Sequence, residues 1–327
     1  MVVNSEIISH KRHGFDGEKY IEMQKNQILD RLANFSGKLY LEVWWKFLRD
    51  PHASRVLPWF LIDSKQTIFY DLRDKIEVLY CVNAEDIISN KKLADQNLDF
   101  SEYVFHNLTV IERILWVKPI IVINKIDIAN MFDLVLDFER RFQKKQYRVF
   151  ERYKISSYPY NVKEILSDNG FGPDDHIPTE KNLVLVTGAG HNSWKLSTCL
   201  WQIYLDNEID IKSGYAKFEL FPLKNKGLEH PVNLAYELAV KDSWNKLVLD
   251  TFHKEEYWQN SVVNQKDLDN FEATMDIIRN IANHKNYMIK YKSPTDMVIN
   301  TTSFCIIDEE SVKKASLEEI ERRQSAE

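Results

Sequence analysis

Residues 183–200, LVLVTGAGHNSWKLSTCL, are the segment of this sequence best suited to chemistry. An apolar strand leads into a glycine-containing loop and then a helix, which is the layout that binds phosphate groups. In such sites backbone amides and the helix N-terminus face the anion, and a lysine neutralises its charge. The residues that suit this layout are Gly188, Gly190, Ser193, Lys195, Ser197 and Thr198.

Trp194 departs from the phosphate-loop pattern. A P-loop has glycine directly before its lysine, because the backbone passes close to the phosphates there. Here Trp194 precedes Lys195, and an indole would crowd the space of a phosphate. An ordinary strand-to-helix turn therefore remains the alternative interpretation of this segment.

The string NKID at residues 124–127 matches the signature with which GTPases bind guanine. It follows the apolar run PIIVI and precedes the loop at 183–200, an order found in circularly permuted GTPases. A GTPase also needs a DxxG turn, but no glycine of this chain has aspartate three residues before it. The alternative is a strand that ends in polar turn residues.

Further polar residues stand where predicted elements end. His52 and Arg55 could bind an anion from a loop, and Lys217, His230 and Asn233 could complete the same cleft. The alternative is a set of surface-facing polar residues. Asp174-Asp175-His176 could bind a cation, but it lies in a Gly/Pro segment, so a solvated turn is predicted. Because neither HExxH nor GxSxG occurs, no metal site and no nucleophile elbow are predicted.

The elements that must position these residues indicate an α/β fold. Three continuous apolar runs, at 76–83, 119–124 and 183–187, are typical of strands buried on both faces. Helical patterns alternate with them, which predicts a mostly parallel sheet covered by helices, with a P-loop-like strand–loop–helix and smaller α+β and helical elements. We expect an α/β domain over 13–212 and an α+β/helical segment over 213–327.

The remaining elements are predicted from periodicity and capping residues. Asp16 should cap a helix over 18–35, followed by a short strand at 39–43 and a loop over most of 44–60. The last helix, at 309–327, is charged and has little to bury. The other predicted elements are helices at 131–145, 193–206, 230–240 and 267–284, and a strand at 215–222.

Composition limits the class of partner. The formal charge of −6 predicts no attraction to nucleic acid or to anionic membranes, and no apolar run approaches ~20 residues. Three scattered cysteines argue against disulfides and zinc, so a cytoplasmic location is expected. Nine glycines are about 3% of the chain, against a usual ~7%. This scarcity counts against loops that wrap phosphate with backbone amides.

Six strings occur along the chain in the order GFDGEKY, HASRVLP, SDNGFG, GYAKFELFP, HPVNLAYE and YKSPTDM. Together they resemble the bacterial domain-of-unknown-function 1846 family, also catalogued as an uncharacterised protein family, from about residue 13 to 323. The resemblance implies an α/β fold with a P-loop-like central domain, and no settled biochemical activity. Family chains usually continue further, so it also implies that a C-terminal domain is missing here.

The departures from the family concern glycines. The family's loop at 187–195 resembles TAPGPGSGK, and Asn192 and Trp194 stand at two of its glycines. Trp44 and Trp45 occupy a usual glycine pair, and Trp59 replaces the glycine after HASRVLP. NKID stands where the family usually has a TQY-type segment. The chain is thus predicted to be a divergent relative, and whether Trp194 closes an ancestral phosphate site stays open.

Three hypotheses follow for function. The first is binding of a phosphorylated or nucleotide-like small molecule, with Lys195 as the counter-charge and the amides of residues 188–193 as donors. The second is a non-catalytic descendant that acts through protein–protein or homo-oligomer contacts. The third is a circularly permuted GTPase. The sequence predicts no particular cofactor and no catalytic residue.

Overall fold

The computed structural model of the protein describes residues 14–44, 50–91, 98–127, 132–172, 174–190, 192–241 and 246–325. Within these residues seven strands form one parallel sheet in the order β4-β3-β2-β5-β1-β6-β9, and β7 and β8 form a small antiparallel pair. The strands are β1 (Leu39–Val43), β2 (Ile76–Asn83), β3 (Ile120–Ile126), β4 (Val149–Tyr153), β5 (Leu183–Gly188), β6 (Gly214–Phe218), β7 (Leu247–Leu249), β8 (Val262–Asn264) and β9 (Val298–Ile299).

Helices cover the sheet, which confirms the α/β class. The longer helices are α1 (Gly17–Leu32), α5 (Phe100–Leu115), α6 (Phe132–Gln143), α8 (Lys195–Glu208), α9 (Pro231–Ala239), α12 (Phe271–Ile281) and α13 (Glu309–Gln324). The shorter ones are α2 (Pro51–Val56), α3 (Ser64–Asp71), α4 (Ala84–Ile88), α7 (Val162–Ile165), α10 (Thr251–Tyr257) and α11 (Gln265–Asp269). Among the described residues no helix is long and apolar enough to cross a membrane.

The three apolar runs form adjacent strands of the sheet. β5 pairs with β2 on one side and with β1 on the other, and β2 also pairs with β3. All six residues of β5 are buried, as expected of a strand covered on both faces. The parallel direction places the carboxyl ends of these strands along one edge, where chain segments from distant parts of the sequence meet.

Residues 213–327 contribute strands to the same sheet. β6 pairs with β1, and β9 pairs with β6, both in parallel. α12 packs against α8, so this part of the chain also covers one face of the sheet. The predicted helix over 267–284 is divided at Asn270 into α11 and α12.

Two predictions about local structure were wrong. The stretch 44–60 contains the helix α2, because Asp50 accepts a hydrogen bond from the backbone of Ala53 and Pro51 suits the first helical turn; residues 45–49 lie outside the described part. The last helix, predicted to have little to bury, does bury one side. α13 packs against α9 and α2, and its own residues Val312, Ser316 and Glu319 are buried there.

Candidate functional site

A cavity of ≈ 360 Å³ lies beside the N-terminus of α8. Its floor is a row of residues from three parallel strands, since Glu42 of β1 is in register with Lys217 of β6, and Lys217 with Val298 of β9. The other lining residues come from β6, the 158–159 segment, the start of α8 with its N-cap, the α11–α12 region and the 294–297 turn: Tyr158, Pro159, Trp194, Lys195, Leu196, Ser197, Tyr215, Lys266, Asp267, Asn270, Phe271, Thr274, Pro294 and Met297.

Lys195 is the first residue of α8 and is nearly buried, at 6% exposure. Its Nζ lies 3.8 Å from Oε1 of Glu42. The other carboxylate oxygen of Glu42 accepts a hydrogen bond of 2.9 Å from the Tyr215 hydroxyl. Lys195 lines the cavity, and among the described residues its ammonium has Glu42 as its ion-pair partner, at a distance longer than a close hydrogen bond.

Lys217 is neutralised much more tightly than Lys195. Its Nζ lies 2.6 Å from Asp267 and 2.9 Å from Glu219. Burial alone would lower the pKa of Lys217, but the two carboxylates outweigh it and raise that pKa well above its ordinary value. Burial would raise the pKa of Glu219, yet Lys217 and Lys224 hold it at about 2.

The loop between β5 and α8 is held by its own side chains and by β2. A Cβ on Gly188 would collide with the carbonyl oxygen of Cys81 and with Ser193. The Ser193 hydroxyl donates to the carbonyl of Gly190 at 2.8 Å. A Cβ on Gly190, in contrast, would meet no described atom within 4 Å. Gly188 is thus required by packing, whereas Gly190 faces open space.

Asn124 of the NKID string supports this loop from β3. Its buried amide donates 2.8 Å to the Ser193 carbonyl and 3.1 Å to the Thr198 hydroxyl. Thr198 also lies 3.4 Å from the Cys81 thiol, so it is enclosed beneath α8 and is not among the residues that line the cavity. Asn124 and Thr198 therefore hold the loop in place from the protein interior.

Arg152 lies at the centre of the same buried network. Its guanidinium donates to Asn124 at 3.2 Å and to Ser197 at 3.3 Å, and it pairs with Asp174 at 3.3 Å. It also lies 4.4 Å from the ring centroid of Trp201. Burial lowers the pKa of Arg152 and raises that of Asp174 to about 6. The solvated turn predicted at Asp174 was wrong, because this carboxylate is the buried counter-charge of Arg152.

Trp194 adopts left-handed backbone, with φ 58°, directly before Lys195. Its ring lies 5.1 Å from that of Tyr158, and the ammonium of Lys125 lies 5.0 Å from its centroid. The indole therefore forms part of the cavity wall, and the cavity persists beside it.

Comparison with known proteins places this chain in a family. The family profile described as "Domain of unknown function DUF1846, N-terminal" matches residues 13–326. The chain belongs to the DUF1846 family. The resemblance drawn from the six sequence strings is thereby confirmed.

Curated relatives of this DUF1846 chain are UPF0371 proteins. It is 38% identical to one from Corynebacterium glutamicum strain R over 310 residues, which are 95% of this chain and 61% of that protein. It is 36% identical to one from Streptococcus pyogenes serotype M28 over 313 residues, which are 96% of this chain and 62% of the relative. The chain thus spans about three fifths of the length of these relatives.

Four of the residues singled out in the sequence lie near the contact between α13 and the rest of the DUF1846 chain. His52 and Arg55 belong to α2, and both approach Glu319, at 3.8 Å and 3.2 Å. His230 caps α9 and lies 2.7 Å from Glu309. Asn233 accepts a hydrogen bond of 2.8 Å from the backbone of Leu223. None of these four lines the cavity, whereas Lys195 and Lys217 do.

Glu42, Arg152 and Asp267 are the residues that sequence reasoning missed. Glu42 carried a usable signal, because it is the one charged residue in the apolar strand LYLEV. Arg152 carried none, since β4 has no apolar run and was not predicted. Among the described residues no group of three or more His, Cys, Asp or Glu could hold a metal ion. The three cysteines are buried and unpaired, and burial raises the pKa of Cys81 to about 11.

Proposed function

We propose that this protein binds a phosphorylated or nucleotide-like small molecule in the cavity beside α8. The observation that carries the proposal is Lys195, a nearly buried cation that faces a ≈ 360 Å³ cavity at the carboxyl ends of parallel strands. Ligands of open α/β sheets bind outside these strand ends. The volume also lies within the ~300–1,000 Å³ range of small-molecule sites.

Lys195 is the group that would neutralise the anion. Glu42 lies 3.8 Å from its ammonium, so a phosphate oxygen can approach Lys195 more closely than this carboxylate does. The first-turn amides of a helix have no intrahelical acceptors, and they add partial positive charge at the same place. Lys217 is less suited to this role, because Asp267 and Glu219 already neutralise it.

The opposite side of the cavity suits the uncharged part of such a ligand. Phe271, Pro294 and Met297 line the cavity with apolar residues, and Asp267 can accept a hydrogen bond from a hydroxyl or amino group. We therefore assign the phosphate to the α8 side and the remainder of the molecule to the α12 side.

Thermal unfolding with a panel of nucleotides, sugar phosphates and inorganic phosphates tests the proposal. A ligand at 100 times its dissociation constant should stabilise the protein by ~2.7 kcal/mol. Lys195→Ala should abolish the shift. Lys212→Ala is the matched control, because Lys212 is exposed and follows the opposite end of α8. If no member of the panel raises the unfolding temperature, or if Lys195→Ala responds like the parent, the proposal is wrong.

A permuted GTPase remains the less favoured candidate. Asn124, the first residue of NKID, is engaged by Ser193 and Thr198. It would have to leave both partners to contact a base. A shift specific to guanine nucleotides and abolished by Asp127→Asn would favour this function over the first.

A role in homo-oligomer contacts is favoured by a second surface. A groove of ≈ 550 Å³ between α9 and α13 is lined partly by Leu234, Leu238 and Ile320. Leu234 is 39% exposed. Sedimentation equilibrium should show self-association that Leu234→Glu weakens, and a monomer at all concentrations would exclude this role.

A further inference from the structure

Among the tryptophans that the structure describes, four have left-handed backbone. Their φ angles are 75° at Trp59, 56° at Trp116, 58° at Trp194 and 56° at Trp258. Positive φ is uncommon for any residue except glycine, and Asn and Asp supply most of the exceptions. For a bulky side chain such a conformation is an outlier. Four such tryptophans in one chain therefore require a common explanation.

The glycines of the chain show the opposite distribution. All nine lie in the described part, and Gly14, with φ 100°, is the one glycine there with positive φ. Tryptophan thus occupies left-handed positions more often than glycine does in this protein. At these four positions the backbone has the positive φ that glycine adopts most readily, but the sequence has tryptophan.

Trp116 and Trp258 occupy the position where helices most often end with glycine. Each is the left-handed C-cap residue of its helix, α5 or α10, and its amide donates to the carbonyl four residues earlier. Glycine is favoured there because it has no Cβ. The side chain of Trp258 is 90% exposed, so little packing compensates for its strained backbone, and that of Trp116 is 71% exposed, although it contacts Tyr70 and Arg73.

Trp59 and Trp194 stand at glycine positions of the DUF1846 resemblance, after HASRVLP and before Lys195. Trp201 provides the internal contrast. It lies within α8, is fully buried and packs against Arg152, as expected of an ordinary core tryptophan.

We propose that positions 59, 116, 194 and 258 hold glycine in the protein made by its own cell. The codon UGA accounts for this substitution, because some genetic codes read it as tryptophan and others read it as glycine. A gene that uses UGA for glycine yields tryptophan at glycine positions when it is translated with the other code. The same event accounts for part of the low glycine count, because four more glycines would raise it from the present 9 in 327 residues to about 4% of the chain, against a usual ~7%.

The proposal changes the site beside α8. With glycine at 194, the loop ends in Gly-Lys, the pair that brings backbone close to phosphates. Loss of the indole also opens the space between the Tyr158 ring and the Lys125 ammonium, directly before Lys195. This consequence rests on the proposed function, whereas the glycine assignment does not.

The codons and the native protein test the assignment directly. We expect UGA at all four positions and UGG at Trp201, and we expect mass spectrometry of the protein from its own cells to find glycine in the four peptides. UGG codons at these positions, or tryptophan in the peptides, would overturn the proposal.

Stability tests the backbone preference independently. Trp258→Gly should melt roughly 2 °C above Trp258→Ala, because only the alanine has a Cβ at left-handed backbone. The matched control is Glu255 in the same helix, where the alanine variant should melt above the glycine variant. A higher melting temperature for alanine at 258 would contradict the assignment.

Pyrophosphate binding separates the two proposals. Trp194→Gly should bind it at least tenfold more tightly than Trp194→Ala. If the four codons are UGA but Trp194→Gly does not bind pyrophosphate, the phosphate site is refuted and the glycine assignment is supported. If Trp194→Gly binds pyrophosphate but the four codons are UGG, the glycine assignment is refuted and the phosphate site is supported.

Discussion

The cavity beside α8 and the cluster around Glu319 bury charge in opposite ways. At the cavity, the Lys195 ammonium lies 3.8 Å from the Glu42 carboxylate, and Lys195 lines an open volume. At the cluster, the carboxylate of Glu319 accepts from Arg322 at 2.6 Å, from Arg323 at 2.7 Å and from Arg55 at 3.2 Å. The first arrangement has room for a ligand, whereas the second is satisfied by the protein itself.

The difference teaches that residue type at an element end does not identify a binding site. His52 and Arg55 resembled an anion site in the sequence, and so did Lys195. In the structure the first two lie beside the carboxylate that docks α13. What separates the two cases is how many counter-charges surround the group and whether a cavity adjoins it.

The largest expected loss of stability concerns Arg152, whose buried network supports the loop before α8. Arg152→Met should lower the free energy of unfolding by about 3 kcal/mol, because the Asp174 carboxylate loses its guanidinium in a buried site. Urea unfolding at pH 7 measures it. The control Arg148→Met removes an exposed arginine of the same region and should change stability by less than ~0.5 kcal/mol. A loss for Arg152→Met as small as the control's would mean that the network contributes no stability.

A smaller loss is expected at the Glu319 cluster. Glu319→Gln should lower the free energy of unfolding by about 2 kcal/mol, since three charge-assisted hydrogen bonds weaken but the arginines stay partly exposed. Glu318→Gln, at the exposed neighbouring position, should be nearly neutral. Equal effects of the two substitutions would show that the cluster does not hold α13 in place.

The smallest effect concerns pH. Burial lowers the pKa of His52 to about 4, and neither of its ring nitrogens has a hydrogen-bond partner among the described residues. The folded state therefore binds fewer protons than the unfolded state between about pH 4 and 6.5, so stability is full above 6.5 and is lost as pH falls toward 4. Between pH 7 and about 5.5 the parent should lose on the order of 1 kcal/mol more than His52→Phe. Parallel pH profiles would contradict the burial of a neutral His52.

Much of the fold was predictable because a strand buried on both faces is a continuous run of apolar residues in the sequence. Such runs form β2, β3 and β5, and Asp16 caps α1 as predicted. Within the site, Lys195 and Lys217 were singled out from their positions at element ends and do line the cavity. Glu42 and Asp267 were not, because the sequence separates them from Lys195 by more than 70 residues on each side.

The sequence by itself determined the α/β class and the strand–loop–helix formed by β5 and α8, because both follow from local periodicity. It also determined the family, because the family is recognised from contiguous strings. The tertiary structure decided which charges meet. Register across β1, β6 and β9 places Glu42, Lys217 and Val298 in one row, and α13 brings Glu319 to Arg55. The physical reason is that pairing between distant segments is set by the packing of the whole chain, which local pattern does not encode.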